Sequence, residues 1–327
     1  MTIKEKIIRL FEHNNELSVK EITDNLLVSK QMVHLVLTKL MEENKVVKYG
    51  RVPKTVYRFI DIPDIDHKKA LNTSEDSKTF LNEHFLVITE VGNMLEGIEG
   101  FDYWCRKRNL PLQKTIDEFV LTQKKYAIFK GKDGYINGLD KLKSTKGFDK
   151  IWLDDLYYLD FYAIERFGKT RLGTILHYAK QGQNKMLMRI LNDEIREKIE
   201  EFIHIHHINA VGFVPPTIRR EVQLMKVLQI GLKINLPVIN ILKIGGIIPV
   251  PQKSLSKLEE RISNADNTFM LRGNQSFKRL LLIDDAVGSG STLNQIAAKI
   301  KKSGVAEHIT GLAIVGSFKG FDVITDV

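Results

Sequence analysis

The sequence predicts an α/β protein, with a parallel sheet in its C-terminal part and a separate, mainly helical module at its start. Three observations lead there. From about Leu156 onward, helical patterns alternate with short apolar runs at Ala210–Val214, Val238–Leu242, Leu280–Ile283 and Ile309–Val315, and strands separated by helices specify parallel pairing. Near the start, Thr2 with Glu5 and Ser18 with Glu21 each have the spacing of a capping box, which opens a helix. Finally, 327 residues with 43% hydrophobic content are enough for two or three domains, each with its own core.

Taken in order, the first helix carries Ile7, Ile8 and Leu10, and the second carries Val19, Ile22 and Leu26. A third starts after Ser29 and places Met32, Val33, Val36, Leu37 and Leu40 at helical spacing. Val46-Val47-Lys48 and Val56-Tyr57-Arg58-Phe59 flank a turn at Gly50, Pro53 and Lys54, which predicts a hairpin. These elements make a module over residues 1–62. A polar linker at 63–79 follows, with His67-Lys68-Lys69 and Asn72-Thr73-Ser74-Glu75-Asp76. Residues 80–155 read as a mixed connecting domain with the aromatic cluster Phe101-Asp102-Tyr103-Trp104 and no motif. Residues 156–327 form the parallel-sheet domain.

Composition narrows the function classes. The opening residues lack the apolar core of a signal peptide. The most apolar stretch, about Val227–Pro251, is interrupted by Lys233, Pro237, Asn240 and Lys243, so no membrane span is expected. A single cysteine, Cys105, excludes an internal disulfide and reads as a core residue. The expectation is a soluble, cytoplasmic protein. The formal net charge is +9, and Lys45, Lys48, Arg51, Lys54 and Arg58 fall in one short stretch with no acidic residue between Asn44 and Arg58. Such a stretch suits a polyanion. Asp154, Asp155 and Asp160 read as a solvated acidic face, and His204, His206 and His207 as a helix end rather than a metal site.

The strongest chemical signal is Leu280-Leu281-Leu282-Ile283-Asp284-Asp285-Ala286-Val287-Gly288-Ser289-Gly290-Ser291-Thr292, followed by a helical pattern over Leu293–Ile300. Four apolar residues in a row suit a strand buried on both faces. Two carboxylates at its C-terminal end lie where open α/β sheets bind ligands. The small residues that follow let backbone N–H groups approach an anion, and the positive end of the next helix favours it further. A Walker loop would need Lys where Ser291 stands. A dinucleotide fingerprint would need a small residue where Leu293 stands.

This run resembles the phosphoribosyl-pyrophosphate loop of type I phosphoribosyltransferases. The resemblance implies a type I phosphoribosyltransferase-like sheet and a role in nucleotide metabolism. Asp284 and Asp285 would bind the ribose 2′- and 3′-hydroxyls as the catalytic pair, and the loop of Ala286, Val287, Gly288, Ser289, Gly290, Ser291 and Thr292 would cradle the 5-phosphate. It also implies Mg²⁺ bridging the pyrophosphate and ribose oxygens, with no dedicated protein metal site. Within that superfamily, roughly the second half of the chain is most similar to the ComF-like branch. Ala210–Thr217, with Arg219 and Arg220 behind it, looks like that branch's strand and pyrophosphate-side loop; planar guanidinium groups suit phosphate oxygens there. Gln252–Leu255, then Glu260, Arg261, Asn264 and Phe269, resemble its connecting segment, and Ile175–Gly182 looks like its helix ending in a lysine. The Cys-rich zinc finger of many relatives is missing, and a different module stands in its place.

That module resembles the winged helix-turn-helix of bacterial regulators. The resemblance implies a recognition helix presenting Ser29, Lys30, Gln31 and His34 to the major groove, and a wing with Lys48, Arg51 and Lys54 along the phosphates of double-stranded DNA. Winged helices also dock proteins, so that reading stays open. Two functions remain. One is a phosphoribosyltransferase, displacing pyrophosphate from ribose C1 with a nitrogen nucleophile. Purine-salvage enzymes often carry an acid within the loop, where Ala286, Val287 and Ser289 stand here, so a purine is the less favoured acceptor. The other is a regulator in which phosphoribosyl pyrophosphate or a nucleotide controls DNA binding without catalysis, a design that purine repressors of Gram-positive bacteria resemble. An effector of anti-phage defence is a third reading. A homo-oligomer or protein complex is expected.

Overall fold

The four apolar runs of the C-terminal part do form strands in one mainly parallel sheet. The structure, a computed structural model, describes residues 2–12, 14, 16–42, 45–49, 55–59, 74–145, 148–216, 220–243, 269–272 and 275–317. It divides into two units, residues 1–82 with 87–113, and residues 83–86 with 114–327.

In the first unit, α1 (Ile3–Glu12), α2 (Val19–Leu26) and α3 (Lys30–Glu42) precede a hairpin of β1 (Val46–Tyr49) and β2 (Val56–Phe59). Both expected capping boxes close. Thr2 N–H donates to Glu5 Oε2 at 2.9 Å, and Ser18 N–H donates to Glu21 Oε2 at 2.7 Å. The Ser18 bonds also hold the Glu21 carboxyl below its ordinary range. Ile7, Phe11, Leu17, Ile22, Val33, Val36, Leu37, Leu40, Val46 and Tyr57 are buried together, so the apolar stripes of three helices meet the hairpin in one core. Leu17 and Tyr57 exchange both backbone hydrogen bonds, at 2.8 and 2.7 Å, which adds the segment before α2 to the hairpin edge.

The chain continues through α4 (Glu75–His84), β3 (Leu86–Ile88), β4 (Met94–Glu96) and α5 (Gly97–Arg106). Phe101 and Trp104 stack at 5.8 Å on α5, and Cys105 of the same helix is buried. The cations after Trp104 are engaged locally: Lys107 pairs with Glu90, and the Arg108 guanidinium lies 4.3 Å from the Trp104 ring.

The second unit runs α6 (Leu112–Ala127), β5 (Ile136–Asn137), α7 (Leu139–Ser144), β6 (Asp155–Phe161), β7 (Ala163–Ile164), β8 (Gly168–Lys169), α8 (Arg171–Gln181), α9 (Lys185–Ile205), β9 (Ala210–Phe213), α10 (Leu224–Leu232), β10 (Val238–Lys243), β11 (Phe269–Arg272), β12 (Phe277–Val287), α11 (Ser291–Lys302) and β13 (Ala306–Gly316). The main sheet has the order β11-β10-β9-β12-β13-β6-β5. β10, β9, β12, β13 and β6 are mutually parallel, while β11 and β5 pair antiparallel at the two edges. β12 lies between β9 and β13, so Leu280, Leu281, Leu282 and Ile283 are covered on both faces and are at most 1% exposed. Each such side chain contributes roughly 1.5–3 kcal/mol of gross burial. α9 carries its apolar stripe at Leu187, Met188, Leu191, Ile195, Ile199 and Phe202, all buried.

One sequence expectation needs correcting. Asp154, Asp155 and Asp160 are not a solvated face. Asp154 accepts the Ile309 N–H and the Lys301 ammonium, both at 2.7 Å, and Asp155 meets His308 at 2.8 Å. Asp160 accepts the Phe161 N–H at 2.8 Å, and burial pushes its carboxyl above the ordinary range. The reason is position: Asp155 and Asp160 lie on β6, an internal strand, and Asp154 leads into it. Residues 80–155, read above as a mixed connecting domain with no motif, contain a strand of the main sheet. β5 pairs with β6 at Ile136↔Tyr158 and Asn137↔Tyr157, and Asn294 of α11 accepts the Trp152 N–H and donates to Lys150 O. The histidine cluster ends α9. His206 stacks on Phe202 at 4.0 Å, and burial holds its imidazole below the ordinary range. Among the described residues, no helix is long and apolar enough to cross a membrane.

Candidate functional site

β12 delivers two adjacent carboxylates to the C-terminal edge of the sheet, and strand alternation sends them to opposite faces. Asp284 is half-buried and its Oδ1 accepts the Asp285 N–H at 2.8 Å. Asp285 is 9% exposed, and its Oδ2 lies 2.6 Å from the Lys180 ammonium. Val214 N–H donates to Ile283 O at 2.9 Å, which sets the end of β9 beside the pair.

The strand runs further than its apolar core suggested. Ala286 and Val287 still pair with Val315 and Gly316 of β13, so the turn itself is Gly288-Ser289-Gly290. Gly290 has φ +77° and precedes α11 as its N-cap. An added Cβ there would lie 2.7 Å from Leu142 Cδ1, so both the left-handed backbone and the space call for glycine. At Gly288 an added Cβ would meet nothing within 4 Å among the described residues. Ser289 Oγ accepts the Ser291 N–H at 3.3 Å and lies 3.1 Å from Ser291 Oγ, while Asn294 N–H starts the helix on Gly290 O at 2.9 Å. Thr292 is half-buried on the first turn of α11. The helix start, the small turn and the hydroxyls together can hold an anion.

A residue outside the sequence-based site joins it. Lys180 sits on the last turn of α8, a helix placed by Thr170, which donates to Phe161 O at 2.6 Å and accepts the Gly173 N–H at 3.1 Å. Arg171 pairs with Glu194 of α9 at 2.7 Å and fixes the other side. Arg220, expected on the pyrophosphate side, directs its guanidinium to Lys180 O and to Gln181 Oε1, the latter at 3.2 Å. The connection after β9 is thereby tied to the end of α8, and Arg220 stands next to Lys180. Arg219 lies outside the described residues. The signal for Lys180 was a helix ending in a lysine, which named the residue without its partner. His177, one turn earlier on α8, meets the Tyr162 hydroxyl at 3.2 Å.

Lys141 of α7 approaches the same edge. Its ammonium donates to Ser317 O and, at 3.0 Å, to Ser317 Oγ, and Ser317 N–H donates to Val287 O at 3.1 Å. Burial pushes the Lys141 amine down from 10.5 to about 8. The folded protein therefore holds this proton less tightly than the unfolded chain. Stability should rise as pH climbs from about 8 toward 10.5. Lys141→Met should remove that rise and increase the melting temperature at neutral pH, as thermal melts across this range would show.

In the first unit, Ser29 accepts the Met32 N–H at 3.3 Å. Lys30, Gln31 and His34 are exposed along one side of α3, while Val33, Val36, Leu37 and Leu40 turn inward. Lys48 on β1 is exposed. Arg51 and Lys54 lie outside the described residues.

The oxygen donors at the sheet edge, Asp284 and Asp285, suit a hard cation such as Mg²⁺ bound largely through ligand oxygens. Among the described residues, no group of three or more His, Cys, Asp or Glu side chains could hold a metal ion. Comparison with family models gives no match to this chain, and comparison with curated protein sequences gives none either.

Proposed function

We propose that the second unit binds phosphoribosyl pyrophosphate with Mg²⁺ in a type I phosphoribosyltransferase-like fold and transfers the phosphoribosyl group to a nitrogen nucleophile. The observation that carries this is the acidic pair ending a central parallel strand, directly before a glycine–serine turn and a helix N-terminus. In this reading Asp284 and Asp285 accept hydrogen bonds from the ribose 2′- and 3′-hydroxyls. The N–H groups of Gly288–Ser291, with the Ser289 and Thr292 hydroxyls, hold the 5-phosphate. Arg220 serves the pyrophosphate. When bound, Mg²⁺ supplies charge neutralisation at the leaving pyrophosphate. The chain's own contribution is positional and electrostatic: it fixes the ribose at one end and the phosphates at the other, so that C1 is exposed between them.

A second reading is favoured by the first unit. The three helices and hairpin, with Lys30, Gln31 and His34 exposed on one side of α3, support a winged helix that contacts duplex DNA under the control of the bound ligand. Pyrophosphate release separates the readings. Incubation with phosphoribosyl pyrophosphate, Mg²⁺ and a panel of nitrogen nucleophiles should release pyrophosphate faster with one class of nucleophile than with water alone. Binding without release for every member would leave the regulator and remove the enzyme.

A further inference from the structure

We infer that Lys180 is a binding residue for the pyrophosphate group, exchanging Asp285 for that group when the ligand binds. This rests on the proposed reading of the site.

Lys180 Nζ and Asp285 Oδ2 are 2.6 Å apart, and their side chains are only 22% and 12% exposed. A pair so shielded is stronger than a surface ion pair. The same carboxylate is the one that must accept a ribose hydroxyl. A hydroxyl donor arriving at Asp285 therefore competes with the ammonium for its oxygens.

The backbone of Lys180 is held by bonds separate from the ion pair of its side chain. Arg220 grips Lys180 O, Gly182 N–H donates to Tyr178 O at 3.0 Å, and Asn184 N–H donates to Ala179 O at 3.1 Å. Movement is then confined to the four-carbon stem, which ends in a compact point charge with three donors and no planar constraint. Such a group can turn from a carboxylate to phosphate oxygens in one rotamer change. Arg220, anchored to the same helix turn, gives the pyrophosphate a second cation beside it. The terminal carbonyls of α8, the negative end of its dipole, are answered by that guanidinium, so Lys180 is not needed for that task.

This arrangement makes two ligands respond in opposite directions. Phosphoribosyl pyrophosphate regains the Lys180 charge through its pyrophosphate. Ribose 5-phosphate has no pyrophosphate and must displace the lysine without return. The test titrates the full chain and its Lys180→Met variant with phosphoribosyl pyrophosphate plus Mg²⁺, and separately with ribose 5-phosphate. Lys180→Met should weaken the first roughly tenfold to hundredfold, the scale of one lost charge-assisted hydrogen bond, and leave the second unchanged or tighter. Lys180→Arg, which keeps the charge, should retain the preference for the pyrophosphate ligand and covers the case that Lys180→Met does not fold. Equal weakening of both ligands would overturn the inference, because the lysine would then only hold Asp285 in place. No change with either ligand, or loss with Arg equal to loss with Met, would overturn it too. Failure of the underlying site reading looks different: the unaltered chain itself would bind neither ligand.

Discussion

Replacing Asp284 and Asp285 together by asparagine should weaken phosphoribosyl pyrophosphate binding by about 3 kcal/mol or more, since each carboxylate contributes a charge-assisted hydrogen bond of roughly 1.5–3 kcal/mol. The two are adjacent and share a backbone bond, so their losses need not add. The sheet should survive the change. Asparagine keeps the side-chain shape, and its amide oxygen can still accept the Asp285 N–H contact made by residue 284. Lys180 loses its partner in a shielded pair, so stability should fall by more than the roughly 1 kcal/mol of a surface pair. A calorimetric titration paired with a thermal melt separates loss of binding from loss of fold. Equal affinity in the parent and the double variant would remove the acidic pair from the site.

A second large effect is expected in the first unit. If the helices and hairpin clasp duplex DNA, affinity should fall steeply with salt, with a log–log slope near −0.9 per phosphate neutralised. Changing Lys48, Arg51 and Lys54 to alanine in the full chain should make that slope shallower by up to roughly three units. Gln31→Ala should instead alter the preferred sequence and leave the slope alone, because a glutamine on the exposed side of α3 reads base edges rather than phosphates. If phosphoribosyl pyrophosphate shifts DNA affinity, DNA must shift the ligand's affinity by the same factor. Salt-independent or absent retention on duplex DNA would favour protein docking by this module.

How much of this was legible follows from where each signal lies. β9, β12 and β13 were readable because their runs are covered on both faces, so the apolar residues sit side by side in sequence; β10 was readable from its apolar run although Val238 and Asn240 are exposed. The capping boxes at Thr2 and Ser18 were readable because they are local. β6 was not. Its sequence, Asp155-Leu156-Tyr157-Tyr158-Leu159-Asp160-Phe161, carries acids that look solvated until the fold forms, when His308 meets Asp155 and Asp160 is buried. β5 has only two residues and no periodicity to detect. In the candidate site, the acidic pair and the glycine turn stood in one continuous run. Lys180, Arg220 and Lys141 reach the same sheet edge from separate elements, and their contacts with Asp285, with the end of α8 and with Ser317 arise only once the sheet has brought those elements together. The extension of β12 through Val287 was hidden for a related reason, since Ala286 and Val287 look like loop residues until β13 pairs with them.

Titrating this chain with phosphoribosyl pyrophosphate in the presence of Mg²⁺, with inorganic phosphate and pyrophosphate as controls, decides whether the second unit holds such a site. One saturable site per chain is expected, tighter for phosphoribosyl pyrophosphate than for either control, because only that ligand engages the acidic pair, the loop and the cations of α8 and its neighbour at once. Binding no tighter than that of inorganic phosphate, or no saturable binding at all, would contradict that expectation.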